Sequence, residues 1–135
     1  MSEVDVIFVS GGNILHLLKW IKQSGFDNWL KNNLENKIYV GVSAGTIIAT
    51  PIIAIAGGEP GDENIHSLID LTAMNLVDFE ISSHTPCMLR YEANEAYAKN
   101  IKNVLYAIDD QTAIEVVDDN FRIIPEGVFK VISKK

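Results

Sequence analysis

Lys37-Ile38-Tyr39-Val40-Gly41-Val42-Ser43-Ala44-Gly45-Thr46 decides how this chain is read. Lys37 to Val40 forms a short strand that runs directly into Gly41-Val42-Ser43-Ala44-Gly45, and a helix-compatible stretch opens at Thr46. Strand, sharp turn, helix is the setting in which a G-x-S-x-G pattern lifts a serine hydroxyl above a sheet. A serine on so tight a turn is backbone-strained and needs neighbours without side chains, which accounts for the glycines. A helix beginning at Ala44 then aims backbone N–H groups, and the positive end of its dipole, at an oxyanion formed by attack. The plainer reading is that small residues let a helix pack closely on its strand, so other sites have to separate the two.

Before this stretch, Val4 to Val9 is a nearly continuous apolar, β-branched run ending at Ser10-Gly11-Gly12. Such runs read as parallel strands buried on both faces. Ile14, Leu17, Leu18 and Ile21 then recur at helical spacing until Ser24-Gly25, and a second short helix is predicted from Phe26 to Leu34. Ser10-Gly11-Gly12-Asn13 stands at the carboxyl end of its strand, where open α/β sheets place ligands. A glycine N–H there supplies a second oxyanion donor beside Ala44, and Asn13 also fits the N-cap of the following helix.

After the elbow, Ala56 to Asn64 holds three glycines, a proline and three acids and reads as a loop. Ile65 to Leu71 fits one or two helical turns. Val77 to Ser83 is a strand that delivers His84 at its carboxyl end. Tyr91 to Ile101 is helical in spacing, and Val104 to Ile108, Ala113 to Val117, Phe121 to Ile124 and Val128 to Ile132 are short strands, with a hairpin at Asp118-Asp119-Asn120. The order implies an α/β fold in one domain over residues 1–135, parallel in front and antiparallel at the end.

Serine is a weak nucleophile at neutral pH until an imidazole takes its proton. Among His16, His66 and His84, only His84 ends a strand; the other two read as surface or packing residues. The loop acids Glu59, Asp62 and Glu63 are the candidates for orienting that imidazole, with Asp62 favoured and Glu59 next. No two histidines fall at helical or hairpin ligand spacing and the acids are dispersed, so the sequence predicts neither a metal site nor a cofactor. Cys87, the single cysteine, reads as an incidental thiol.

The 135 residues are 47% apolar and 21% charged, the profile of a globular domain. A net charge of -7 without any Lys/Arg cluster argues against nucleic acid. No apolar run reaches the ~18 residues of a membrane helix, and Met1-Ser2-Glu3 lacks the basic, then apolar, start of a signal peptide. The expected location is therefore the cytoplasm, with no membrane partner.

The run Phe8-Val9-Ser10-Gly11-Gly12-Asn13, followed by Tyr39-Val40-Gly41-Val42-Ser43-Ala44-Gly45 and by Leu76-Val77-Asp78-Phe79 before His84, resembles the dipeptidase E group of aspartyl dipeptidases and their cyanophycinase relatives. The resemblance implies a three-layer parallel-sheet fold of the class I glutamine amidotransferase-like, flavodoxin-like type, with a small β extension at the C-terminus. It also implies a serine peptidase cleaving short peptides, including those with an N-terminal aspartate. By position, Ser43 would be the nucleophile, His84 the general base, Gly12 and Ala44 the oxyanion hole, and the acid would fall in the loop from Gly58 to Asp62. Asn13 and Arg90 are the substrate-side candidates. The amidotransferases carry an acid two residues after the histidine; here that place is Pro86. Family members begin with further strands and helices ahead of the segment that starts here at Met1. This shortening predicts a bare edge on the Val4 to Val9 strand and hence a homodimer or larger assembly. The competing readings are a catalytically inactive relative that serves as a binding or assembly module, and an α/β-hydrolase esterase, a fold that usually needs a longer chain.

Overall fold

The computed structural model describes residues 3, 5–57, 61–85 and 88–133, without the side chains of residues 88 and 89. They fall into two compact units, Met1–Glu80 and Ile81–Lys135.

In the first unit, β1 (Val6–Val9) lies parallel to β2 (Ile38–Gly41), in a register running from Val6 opposite Ile38 to Val9 opposite Gly41. A parallel pair needs a crossover, supplied by α1 (Ile14–Ser24), α2 (Phe26–Asn33) and a 3-10 turn at Leu34–Asn36. α1 buries Ile14, Leu15, Leu18 and Ile21 along one face. It stops at Gly25, whose φ of 73° lets its N–H reach the carbonyls of Ile21 and Lys22. After the elbow, α3 is a single turn, Ala44–Ile47, packed on β1, β2 and α1. The helix-compatible stretch from Thr46 adds nothing beyond this one turn. Thr50 Oγ1 donates to the Ile47 carbonyl (2.8 Å), and Pro51 both lacks a donor N–H and disfavours a helical residue before it.

Ile65 to Leu71, expected to be helical, is irregular. Asn64 takes both backbone groups of Leu68: its Oδ1 accepts the Leu68 N–H and its Nδ2 donates to the Leu68 carbonyl, each at 2.9 Å. A side chain that satisfies the backbone locally competes with the helical ladder. The sheet also departs from expectation. Val6, Phe8, Ile38 and Val40 share one face and are 50%, 64%, 61% and 36% exposed, whereas the sequence reads this strand as covered on both sides. Among the described residues β1 pairs with β2 alone, so its other edge is open.

Apart from Glu80, the last residue of the first unit, the second unit holds the three-stranded sheet of order β3 (Glu80–Ser82), β4 (Leu105–Ile108), β7 (Phe129–Ile132), with β4 and β7 antiparallel. All four residues of β4 are buried, and α4 (Met88–Ala98) packs on it. β5 (Thr112–Val117) and β6 (Asn120–Pro125) form the predicted hairpin, in which Val117 pairs with Asn120 and Asp118 takes a φ of 54°. β3 is shorter than the Val77 to Ser83 strand the sequence predicts. No helix among the described residues is long and apolar enough to cross a membrane.

Candidate active site

Ser43 stands between β2 and α3 with φ 57° and ψ -115°, a backbone conformation L-residues seldom adopt. Three glycines permit it. A Cβ on Gly41 would lie 2.3 Å from the Gly45 carbonyl oxygen, one on Gly45 would lie 2.0 Å from the Val9 carbonyl oxygen, and one on Gly11 would sit 3.1 Å from Ser43 Cβ and 3.3 Å from its Oγ. The helix start is thus pressed against both strands, and the end of β1 is pressed against the serine.

Hydrogen bonds brace the corner. The Val42 N–H donates to the Val9 carbonyl (2.9 Å), Thr46 Oγ1 to the Gly41 carbonyl (2.8 Å) and the Tyr39 hydroxyl to the Gly45 carbonyl (2.5 Å). Burial pushes the Tyr39 phenol above its ordinary range, so it stays a neutral donor. Because α3 is one turn long, any oxyanion stabilisation here comes from the individual N–H of Ala44 rather than from a helix dipole.

At the end of β1, Gly12 takes a φ of 131°, a value suited to glycine. Asn13 caps α1, its Oδ1 accepting the His16 N–H (2.8 Å), while its Nδ2 donates to the Glu63 carbonyl (2.9 Å). The favoured loop acid is engaged at the same helix end: Asp62 Oδ2 accepts the Ile14 N–H at 2.6 Å. Both side chains expected at the site therefore hold the loop to α1. Glu59 and Cys87 lie outside the described residues.

In the second unit, His84 also has a positive φ, 60°, just beyond β3. Its Nδ1 lies 2.6 Å from Asp110 Oδ1, and the two side chains are 53% and 74% exposed. An Nδ1–H donating to the carboxylate leaves the lone pair on Nε2, the tautomer a general base needs. The sequence reading does not single out Asp110. Its signal is the Asp109-Asp110 pair directly after a buried strand, the same position relative to β4 that His84 has to β3. The Thr85 N–H donates to the Ile108 carbonyl (3.0 Å) and so joins the two strand ends. Arg90 is half-buried on α4.

Asp109 fixes the loop that carries Asp110. Its carboxylate accepts the Val128 N–H (2.6 Å), the Thr112 hydroxyl (2.7 Å) and the Gln111 N–H (3.0 Å). The bonds from Val128 and Thr112 hold the carboxyl below the ordinary carboxylate range. A depressed folded pKa gives stability that is present above the unfolded carboxylate value and is lost as pH falls through the folded one. Asp109→Asn is therefore expected to lower the thermal midpoint at neutral pH and to flatten its fall on acidification. An acid limb as steep as that of wild type in melts across pH would remove this role.

These features define an α/β protein with a serine-bearing corner between a parallel strand and a helix. The chain belongs to peptidase family S51, whose model matches residues 1–124. It is 31% identical over 124 residues to an uncharacterized peptidase of Listeria innocua, covering 88% of this chain and 58% of that protein. It is 24% identical over 134 residues to peptidase E of a Nostoc species, covering 92% of this chain and 54% of that one. The 1.5 Å crystal structure of a protein assigned as peptidase E from Listeria monocytogenes superposes with a TM-score of 0.69 at 29% identity, over 97% of this chain and 61% of that chain. The chain thus spans between half and two thirds of the length of these relatives.

Proposed function

We propose that the protein is a serine-type peptidase for short peptides, built on a three-layer, class I glutamine amidotransferase-like architecture. The observation that carries this reading is the Ser43 backbone, held at positive φ by three glycines whose missing side chains serve that corner. Family membership and the His84–Asp110 pair add support.

Ser43 Oγ attacks the carbonyl carbon of the scissile bond while His84 Nε2 takes its proton. The N–H groups of Gly12 and Ala44 receive the oxyanion. The intermediate collapses with loss of the amine, which takes the proton back from His84 and leaves an acyl ester on Ser43. Water, deprotonated by His84, then releases the acid and restores the serine. Asp110 holds the imidazole in the working tautomer, the role the sequence reading gives to Asp62 or Glu59. Arg90 is the cation for an acidic N-terminal residue, and aspartyl dipeptides are the substrates to compare with alanyl ones.

Two variants separate the acids. Asp110→Asn is expected to lower kcat roughly ten-thousandfold by favouring the wrong tautomer. Asp62→Asn is expected to lower the melting temperature and to leave kcat far less affected. The reverse pattern in dipeptide hydrolysis would return the role to Asp62. Turnover of short peptides by purified protein, with covalent labelling by a fluorophosphonate, tests the reading as a whole. A folded chain inert to both would instead be the binding or assembly module.

A further inference from the structure

His16 on α1 and His66 in the following loop are separated by fifty residues, yet His16 Nδ1 and His66 Nε2 lie 2.8 Å apart. Their ring centroids are 5.1 Å apart and the planes diverge by 28°. Neighbouring bonds lace this loop along α1 independently of the rings. Asn13 and Ile14 hold Glu63 and Asp62, and the Lys22 ammonium donates to Asp70 (2.7 Å) and to Thr72 (3.0 Å). The two imidazoles are therefore brought together by a scaffold that does not depend on them.

We propose that His16 and His66 form a two-nitrogen site for a divalent transition cation of the zinc, copper and nickel group, completed by water. Imidazole nitrogens bind zinc at about 2.0–2.1 Å, which places two of them roughly 2.9–3.4 Å apart around a square or tetrahedral ion. The observed pair needs to open by a few tenths of an ångström on that scale, and the exposed His16 ring and half-buried His66 ring must turn so that their lone pairs converge on the ion. Among the described residues there is no group of three or more His, Cys, Asp or Glu side chains able to hold a metal, so water fills the other positions.

The proton inventory identifies what competes with the cation. Lys19 Nζ lies 3.4 Å from His66 Nδ1, and an ammonium only donates. His66 Nδ1 is then the acceptor, and the ring proton of His66 sits on Nε2, shared with His16 Nδ1. Coordination through the two facing nitrogens moves that proton to His66 Nδ1, keeps the His16 proton on Nε2 and displaces Lys19, with no net release of protons from the pair. Lys19 is thus the group that opposes metal entry. This site stands independently of the hydrolytic reading.

The test is calorimetric titration of the full chain with zinc ion alone, near neutral pH in a non-coordinating buffer. One saturable site is expected in wild type. His16→Gln and His66→Gln should each weaken it at least about tenfold, with an unchanged circular dichroism spectrum. Lys19→Gln should bind several-fold more tightly, a gain that unfolding cannot imitate, and copper(II) should bind more tightly than zinc. Zinc binding undiminished in both histidine variants, or absent from wild type, overturns the proposal.

Discussion

Gly45→Ala is expected to abolish the packing of α3 on β1 and β2. The added Cβ would fall 2.0 Å from the Val9 carbonyl oxygen and 2.7 Å from the Val9 carbonyl carbon. These are backbone atoms, and that oxygen already accepts the Val42 N–H, so neither can rotate away as a flexible side chain would. Overpacking a core by a methylene costs about 1–3 kcal/mol when side chains can yield. Here strand and helix must separate by more than about 1 Å, which places the loss at roughly 3–5 kcal/mol or beyond. Domains of this size have only about 5–15 kcal/mol to lose, so the variant should melt at least about 10 °C lower or fail to fold. Gly57→Ala is the control: its Cβ would meet the Ala54 carbonyl oxygen at an ordinary 3.7 Å, and a change within about 1 kcal/mol is expected. Denaturant unfolding of the two proteins checks this. A Gly45→Ala chain as stable as wild type would mean that the helix does not press on β1 as described.

Ser43→Ala is expected to reduce peptide turnover by about 10⁴–10⁶-fold and to eliminate fluorophosphonate labelling, because the acyl enzyme has no other oxygen on which to form. Alanine keeps the backbone strain and removes a single oxygen, so stability should change by no more than about 1 kcal/mol. Loss of activity with an unchanged melt therefore reports on chemistry rather than folding. Labelling of Ser43→Ala at the wild-type rate would remove the hydroxyl from the mechanism, whatever the family. His84→Ala belongs beside it: in serine hydrolases the two losses are grossly non-additive, and the double variant should be hardly worse than either single one.

The crossover from β1 through α1 and α2 to β2 could be read from local spacing, because Ile14, Leu18 and Ile21 mark the buried face of α1 and Gly25 marks its end. The elbow could be read for the same reason, since its glycines answer to atoms within a few residues or on the adjoining strand. The exposure of Phe8 and Ile38 could not. An apolar run records that a side chain prefers burial, but not whether a second layer is present to cover it. Ile65, Leu68 and Ile69 suggest helical turns, yet the Asn64 side chain captures Leu68 and settles the loop another way. Of the residues in the proposed mechanism, Ser43 and His84 are legible because each follows a strand, whereas Asp110 meets His84 across 26 residues through a strand pairing that no local pattern encodes. Asp62 is favoured from sequence because the glycine and proline around it suggest a loop held in a definite shape. Its contact in the fold is the Ile14 N–H, a helix-end bond that a sequence cannot distinguish from a catalytic one.

Ser43 and His84 share one backbone property: both are L-residues with φ near +60°. Such conformations cost about 1–3 kcal/mol each, and glycine relieves them. Random mutagenesis scored only for heat resistance should therefore enrich glycine at these two positions early, yielding hardier chains that have lost both hydroxyl and imidazole. On the proposed peptidase reading, directed evolution must consequently screen for turnover as well as thermal endurance, since heat resistance alone discards the two side chains the reaction needs.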